Sequence, residues 1–123
     1  MTIVAARAEM GTGAARTTLP MIVADELDAD WSQIRAEGAP ADAKLYNNLF
    51  WGAAQGTGGS TALANSYEQL RKAGAAARAM LVAAAAEKWQ LPASEIRVSK
   101  GVVFAGNKKA TFGELAADAS KQP

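Results

Sequence analysis

Cysteine and histidine are both absent from this 123-residue sequence. Without thiols there are no disulfides and no iron–sulfur ligands, and without imidazole the commonest general base and zinc ligand is missing. A thiol-free chain says nothing about the redox state of its compartment. Aromatic residues are few, and alanine outnumbers Leu, Ile, Val and Phe among the apolar positions. Alanine buries little area per side chain, so the core is expected to be thin and close-packed. An excess of one charge is also lacking: 13 basic and 12 acidic residues give a formal charge of +1. The two signs are interspersed, which argues against a nucleic-acid or membrane-surface partner. The apolar run Leu81 to Ala86 is far too short to cross a bilayer, and no leader-like pattern is read at the amino terminus, so the expectation is a soluble, unprocessed chain.

What is present suits one small domain, or one lobe of a larger one, spanning residues 1–123. Thr2 to Glu9 alternates weakly, with β-branched Ile3 and Val4, and stops at Gly11-Thr12-Gly13, which reads as a strand entering a glycine turn. Leu19, Val23 and Leu27 then lie four apart, predicting a helix of roughly three turns. Pro20 fits only its first turn, placing the cap near Thr17 or Thr18. Gln33 to Glu37 is a second strand candidate. Ala39 to Gly59 reads as a loop of about twenty residues, a length that is usually functional or packed against something. Its aromatics Tyr46, Phe50 and Trp51 either cap this chain's own core or face a surface beyond it.

Ser66 to Trp89 has the clearest helical pattern, through Tyr67, Leu70, Gly74, Ala77, Leu81 and Ala84. Ser66 with Gln69 makes a candidate capping box, although the helix can begin as early as Thr61. Small residues on both of its faces predict a helix lying between two packed layers. Pro92 stops it. Ile96 to Ser99 and Val102 to Ala105, joined by Lys100-Gly101, predict a β-hairpin whose second strand ends at Gly106-Asn107. Thr111 and Glu114 form a capping box for a last helix carrying Phe112, Leu115 and Ala116. The class is α+β: a two-layer β-α-β-α-β-β-α arrangement, with a small mixed sheet covered by helices.

Two glycine-rich segments precede helices: Gly11-Thr12-Gly13, and Gly56-Thr57-Gly58-Gly59-Ser60-Thr61. Glycine lets backbone approach a ligand, unpaired amide hydrogens sit at a helix start, and the helix dipole favours an anion there. Neither segment is a P-loop or a dinucleotide fingerprint, and taken alone both read better as ordinary turns and caps than as phosphate sites. Asp25, Glu26, Asp28 and Asp30 sit at the unfavourable carboxyl end of the first helix, where a solvated cluster is a better reading than a metal site. Arg71, Lys72 and Arg78 read as a solvated edge, with Arg71 or Lys72 placed to steer a phosphate.

These segments carry a resemblance. Glu9-Met10-Gly11-Thr12-Gly13 resembles the Glu-Met-Gly-Gln-Gly motif of the molybdenum hydroxylases, the family of xanthine dehydrogenases and aldehyde oxidoreductases. Leu19 to Ala24, Glu26 to Trp31, Ala39 to Asp42, Gly58 to Thr61, Ser66 to Glu68 and Leu70 to Leu81 are similar to large subunits of the isoquinoline 1-oxidoreductase type.

The resemblance implies a lobe of a molybdopterin-binding domain within a larger subunit. Gly11, Thr12 and Gly13 would face the pterin, and Gly58, Gly59, Ser60, Thr61 and Ser66 would hold its phosphate or, in the cytosine dinucleotide form, its nucleotide tail. Thr12 stands where the family has glutamine, and is too short to make the same reach. The family's catalytic glutamate and the other half of the cofactor site are not found here, so no catalytic residue is assigned and no activity or molybdenum is expected of this chain alone. The implied partners are the remainder of the large subunit, a small iron–sulfur subunit and, in some arrangements, a cytochrome c subunit. The implied location is the periplasm, with no nucleic acid and no membrane insertion. The competing reading is a non-catalytic structural or interaction domain that kept the scaffold and binds no cofactor.

Overall fold

A computed structural model describes residues 1–123. Strand β1 (Thr2–Ala5) pairs in parallel with β2 (Arg35–Gly38), in the register Thr2 to Arg35 through Ala5 to Gly38. Helix α1 (Leu19–Leu27) connects them. Helix α2 (Ala43–Tyr46) is one turn within the long loop, and α3 (Ala62–Trp89) runs 28 residues. Strands β3 (Arg97–Ser99), β4 (Val102–Ala105) and β5 (Lys108–Thr111) form an antiparallel sheet, and α4 (Phe112–Ala119) closes the chain.

The α+β class stands, but the strands divide between two sheets instead of one mixed sheet. Each sheet has its own apolar contacts. Ile3, Val23 and Ala24 pack under the parallel pair, beside Ala5, Ala15 and Leu19. The larger core gathers Leu27, Leu81, Ala84, Ala85, Val98, Val103, Phe112 and Leu115. Helix α3 joins the two, packing its first half on α1 and its second on α4 and the antiparallel sheet. Gly74 makes the first contact possible: a Cβ there would lie 2.9 Å from both Glu26 Cβ and the Val23 carbonyl. The opposite face of α3, with Tyr67, Ala75, Ala76 and Ala79, is exposed, so α3 does not lie between two layers. Alanine allows close approach; it does not compel it.

Other expectations also shift. Thr18 holds the N-cap position of the first helix and Pro20 lies in its first turn, as expected, but the helical path already begins at Ala14. Residues Ala14–Thr18 form a widened π turn in which Thr18 N and Leu19 N donate five residues back, and neither threonine caps with its side chain. Pro20 explains the widening, since its ring collides with the carbonyl four residues earlier in a regular α-turn. The second strand starts later than Gln33, because Asp30 Oδ1 accepts from Ser32 N at 3.0 Å and curls Trp31–Gln33 into a 3-10 turn. Asp42 caps α2 by accepting from Lys44 N, giving structure to part of the long loop.

Ser66 is no cap. It lies in the second turn of α3 and is buried, and no Ser66–Gln69 capping box forms. Gly106-Asn107 ends the second strand of the hairpin as expected, but turns into a further strand, β5, whose Lys-Lys-Ala-Thr sequence buries only Ala110 and so gives little apolar alternation to read. The hairpin at Lys100 and Gly101 and the Thr111–Glu114 capping box form as expected.

Candidate functional site

Strand β1 ends in the turn that leads to α1, and Glu9 shapes that turn. Its Oε1 accepts from Gly11 N at 2.8 Å and Gly13 N at 2.9 Å, and its Oε2 accepts from Arg16 N at 3.3 Å. Gly11 and Gly13 both have positive φ, +98° and +80°, which lets successive amides converge on one carboxylate. The hydrogen bond from Gly13 is the largest cause holding the Glu9 carboxyl below its ordinary range, ahead of the desolvation that opposes it and the bonds from Gly11 and Arg16. The anion site expected at this helix start is therefore filled by the chain's own carboxylate. Gly11 and Gly13 have given their amide hydrogens to Glu9, leaving Thr12 as the part of the turn that faces outward.

The second glycine segment differs. Helix α3 has no side-chain cap at Thr61, so no side chain takes up its first-turn amides. Gly59 (φ +62°) and Ser60 (φ +57°) are consecutive left-handed residues just before it. The Thr61 hydroxyl points back to the Gly58 carbonyl at 2.7 Å, and Thr57 Oγ1 reaches across to the Ala8 carbonyl at 3.0 Å. The second bond ties this segment to the end of β1, beside the first glycine turn.

The two segments meet. A cavity of about 380 Å³ is lined by Met10, Thr12 and Ala14 from the first and by Thr57 through Leu63 from the second. Seven of the eight proposed residues, Gly11 to Gly13 and Gly58 to Thr61, lie at or directly beside this cavity; Ser66 does not, and its hydroxyl is engaged with Asn65 Nδ2 at 3.3 Å. The volume falls in the range typical of small-molecule sites. Met10, Ala14 and Leu63 supply an apolar wall and the α3 start supplies backbone donors, a donor set that fits a planar heterocycle carrying a phosphate.

The sequence places Glu9 only as the first letter of its motif and Trp51 only as a loop aromatic, with no role in the site for either, and it does not single out Asn48. Glu9 had a readable signal, a carboxylate two and four residues before glycines that open a helix. Asn48, fully buried behind the second segment, had none. The Trp51 ring packs on Gly56 and Gly58, where an added Cβ would lie 2.5 Å and 3.1 Å from ring atoms. Phe50 is exposed and does not cover the chain's own core. The basic edge is committed elsewhere: Arg71 pairs with Asp25 at 3.1 Å and Glu26 at 2.6 Å, and Arg78 with Asp28 at 3.4 Å. Arg71 and Arg78 therefore balance the acidic end of α1, and no three carboxylates converge on a point that could hold a metal. No helix is long and apolar enough to cross a membrane.

The isoquinoline 1-oxidoreductase subunit beta of Brevundimonas diminuta is 45% identical over 118 residues, covering 94% of this chain and 15% of that protein. A protein named membrane-bound aldehyde dehydrogenase [pyrroloquinoline-quinone], from Gluconacetobacter polyoxogenes, is 36% identical over 111 residues, covering 90% of this chain and 13% of that one. Among solved structures, quinoline 2-oxidoreductase from Pseudomonas putida 86 superposes with a TM-score of 0.65 over 99% of this chain and 15% of its own, at 20% identity, a likeness of fold. This chain thus spans about one seventh of the relatives it matches. The molybdopterin cofactor-binding domain family matches from residue 1 to residue 123, and this chain belongs to that family.

Proposed function

We propose that this chain is one lobe of the cofactor-binding subunit of a molybdenum hydroxylase that oxidises an aldehyde or an N-heterocycle with water as the oxygen source. The observation that carries the reading is the convergence of Met10–Ala14 and Thr57–Leu63 on one cavity at the uncapped start of α3. In this reading Gly58 to Ser60 and the first amides of α3 hold the phosphate of molybdopterin, or of its cytosine dinucleotide, and Thr12 with Met10 borders the pterin. The bound cofactor supplies the redox and oxygen-transfer chemistry, and this lobe contributes binding and orientation. Thr12 does not replace the longer glutamine of the motif, so that contact is lost or moved to another group. Electrons pass to a separate iron–sulfur subunit, a partner that rests on the resemblance. The working complex also includes the remainder of the large subunit and, in some arrangements, a cytochrome c, and it operates in the periplasm; the location rests on the resemblance.

The test uses the complete large subunit carrying this lobe. Gly59→Val forces a β-branched residue into a left-handed backbone and should strip most of the pterin and molybdenum, measured by fluorescence of the oxidised pterin and by elemental analysis. Release of a quinone in place of a pterin would instead match the name of the aldehyde dehydrogenase relative. A folded Gly59→Val subunit with full pterin content would refute the assignment and favour the interaction-domain reading. The 123-residue chain by itself is expected to show no dye-linked oxidation of aldehydes or N-heterocycles.

A further inference from the structure

The cavity's second wall is held by a relay of side chains that starts well outside it. Asn48 is 0% exposed. Its Nδ2 donates to Thr61 Oγ1 at 2.7 Å and reaches the Gly56 carbonyl at 3.5 Å, while its Oδ1 accepts from Phe50 N at 3.1 Å. Its own amide donates to the Ala54 carbonyl at 2.7 Å. The Thr61 hydroxyl passes the interaction on, donating to the Gly58 carbonyl at 2.7 Å. From the other side, Asn65 Oδ1 accepts from Leu49 N at 2.6 Å. Arg7, also buried, fixes the far end of the loop by donating to the Tyr46 and Asn47 carbonyls at 3.3 Å and 3.5 Å.

Two consequences follow. A hydroxyl has a single hydrogen to give, and that of Thr61 is spent on Gly58, so Thr61 is not a hydrogen-bond donor to a bound phosphate. The relay also brackets Gly59 and Ser60, gripping the carbonyl just before them and the residue just after. Ser60 at φ +57° is in a conformation that is unfavourable for a non-glycine residue and persists only where its surroundings impose it.

We propose that Asn48, acting through the Thr61 hydroxyl, is a positioning residue for the phosphate-binding segment: it imposes the left-handed bend at Gly59 and Ser60 that sets this backbone along the cavity wall. The proposal rests on the cofactor-binding reading for its purpose. Its mechanism is a property of the loop and is measurable without a ligand.

The experiment takes the 123-residue chain and three variants: Asn48→Asp, which keeps the acceptor for Phe50 and loses the donor to Thr61; Thr61→Val, which removes the hydroxyl; and Thr61→Ser, which retains it. Two readouts run together in amide NMR. One is the backbone coupling of Ser60, which reports its positive φ. The other is the shift of the Gly59, Ser60, Ala62 and Leu63 amides on titration with inorganic pyrophosphate. N48D and T61V should lose the Ser60 signature and bind pyrophosphate about tenfold more weakly, as expected for the loss of one well-formed hydrogen bond, while T61S restores both. Unchanged amides of Val103 and Leu115, deep in the larger core, certify folding. If N48D does not fold, the T61V and T61S pair decides alone, since Thr61 is only half-buried. Retention of the Ser60 signature and of wild-type affinity in T61V overturns the relay. A wild-type chain that ignores pyrophosphate while T61V still loses the bend overturns the cofactor reading and leaves the relay standing.

Discussion

Replacing Gly74 by alanine should destabilise this protein, against the helix propensity of the two residues. In an exposed helix interior the change would add about 1 kcal/mol of stability. At Gly74 the new methyl would stand 2.9 Å from Glu26 Cβ and 2.9 Å from the Val23 carbonyl oxygen, each about 0.5 Å inside ordinary contact. Both obstacles belong to the α1 backbone or are fixed to it, so no side-chain rotation relieves them and the helices must separate. Overpacking of this kind costs about 1–3 kcal/mol, and subtracting the propensity gain leaves a net loss of about 1 kcal/mol. For a domain of this size that lowers the melting temperature by roughly 4 °C. Urea unfolding with an unchanged m-value is the assay, and Ala76→Gly on the exposed face calibrates the propensity term with an expected loss of about 1 kcal/mol. The crossing also positions the site: α1 carries the Thr12 turn and α3 starts at the Gly58–Thr61 segment, so a wider crossing parts the two walls of the cavity. A stabilised G74A variant would refute the close helix contact and the placement of the cavity walls derived from it.

Three further outcomes are expected. Because the folded-state pKa of Glu9 is depressed, its contribution is fully present above the unfolded value of about 4.3 and fades as pH falls through the lower folded value; the stability gap between wild type and Glu9→Gln should be open at pH 7 and close in acid, and a gap independent of pH would count against the carboxylate turn. Gly56→Ala should leave the unfolding free energy within about 0.5 kcal/mol, because the obstructing Trp51 ring is partly exposed and can swing away, but the tryptophan emission should shift to the red; unchanged emission would place the ring elsewhere. Thr111→Ala removes the acceptor for Glu114 N and the hydroxyl partner of Glu114 Oε2, and should cost about 1 kcal/mol in thermal or urea unfolding; a neutral result would mean the box adds nothing to α4.

The sequence by itself determined the elements whose signals are local. The α3 pattern, the Lys100-Gly101 hairpin and the Thr111–Glu114 box depend on residues within a few positions of one another, and each forms near its expected place. The two glycine segments were equally plain. Which of them is open to an anion was not, because that depends on what else occupies the amides. Glu9 fills the first, whereas the start of α3 lacks a side-chain cap. Tertiary structure also decided that β5 joins a sheet, that α3 leaves one face bare, and that the strands separate into two sheets. Asn48 is the clearest instance. As a letter it is one polar residue in a loop, and only the fold brings its amide 2.7 Å from a threonine thirteen residues away. Helices and hairpins are written in near-neighbour spacing; a binding site is assembled from backbone groups that chain folding leaves unpaired, and which remain unpaired is settled only when every other partner has taken its place.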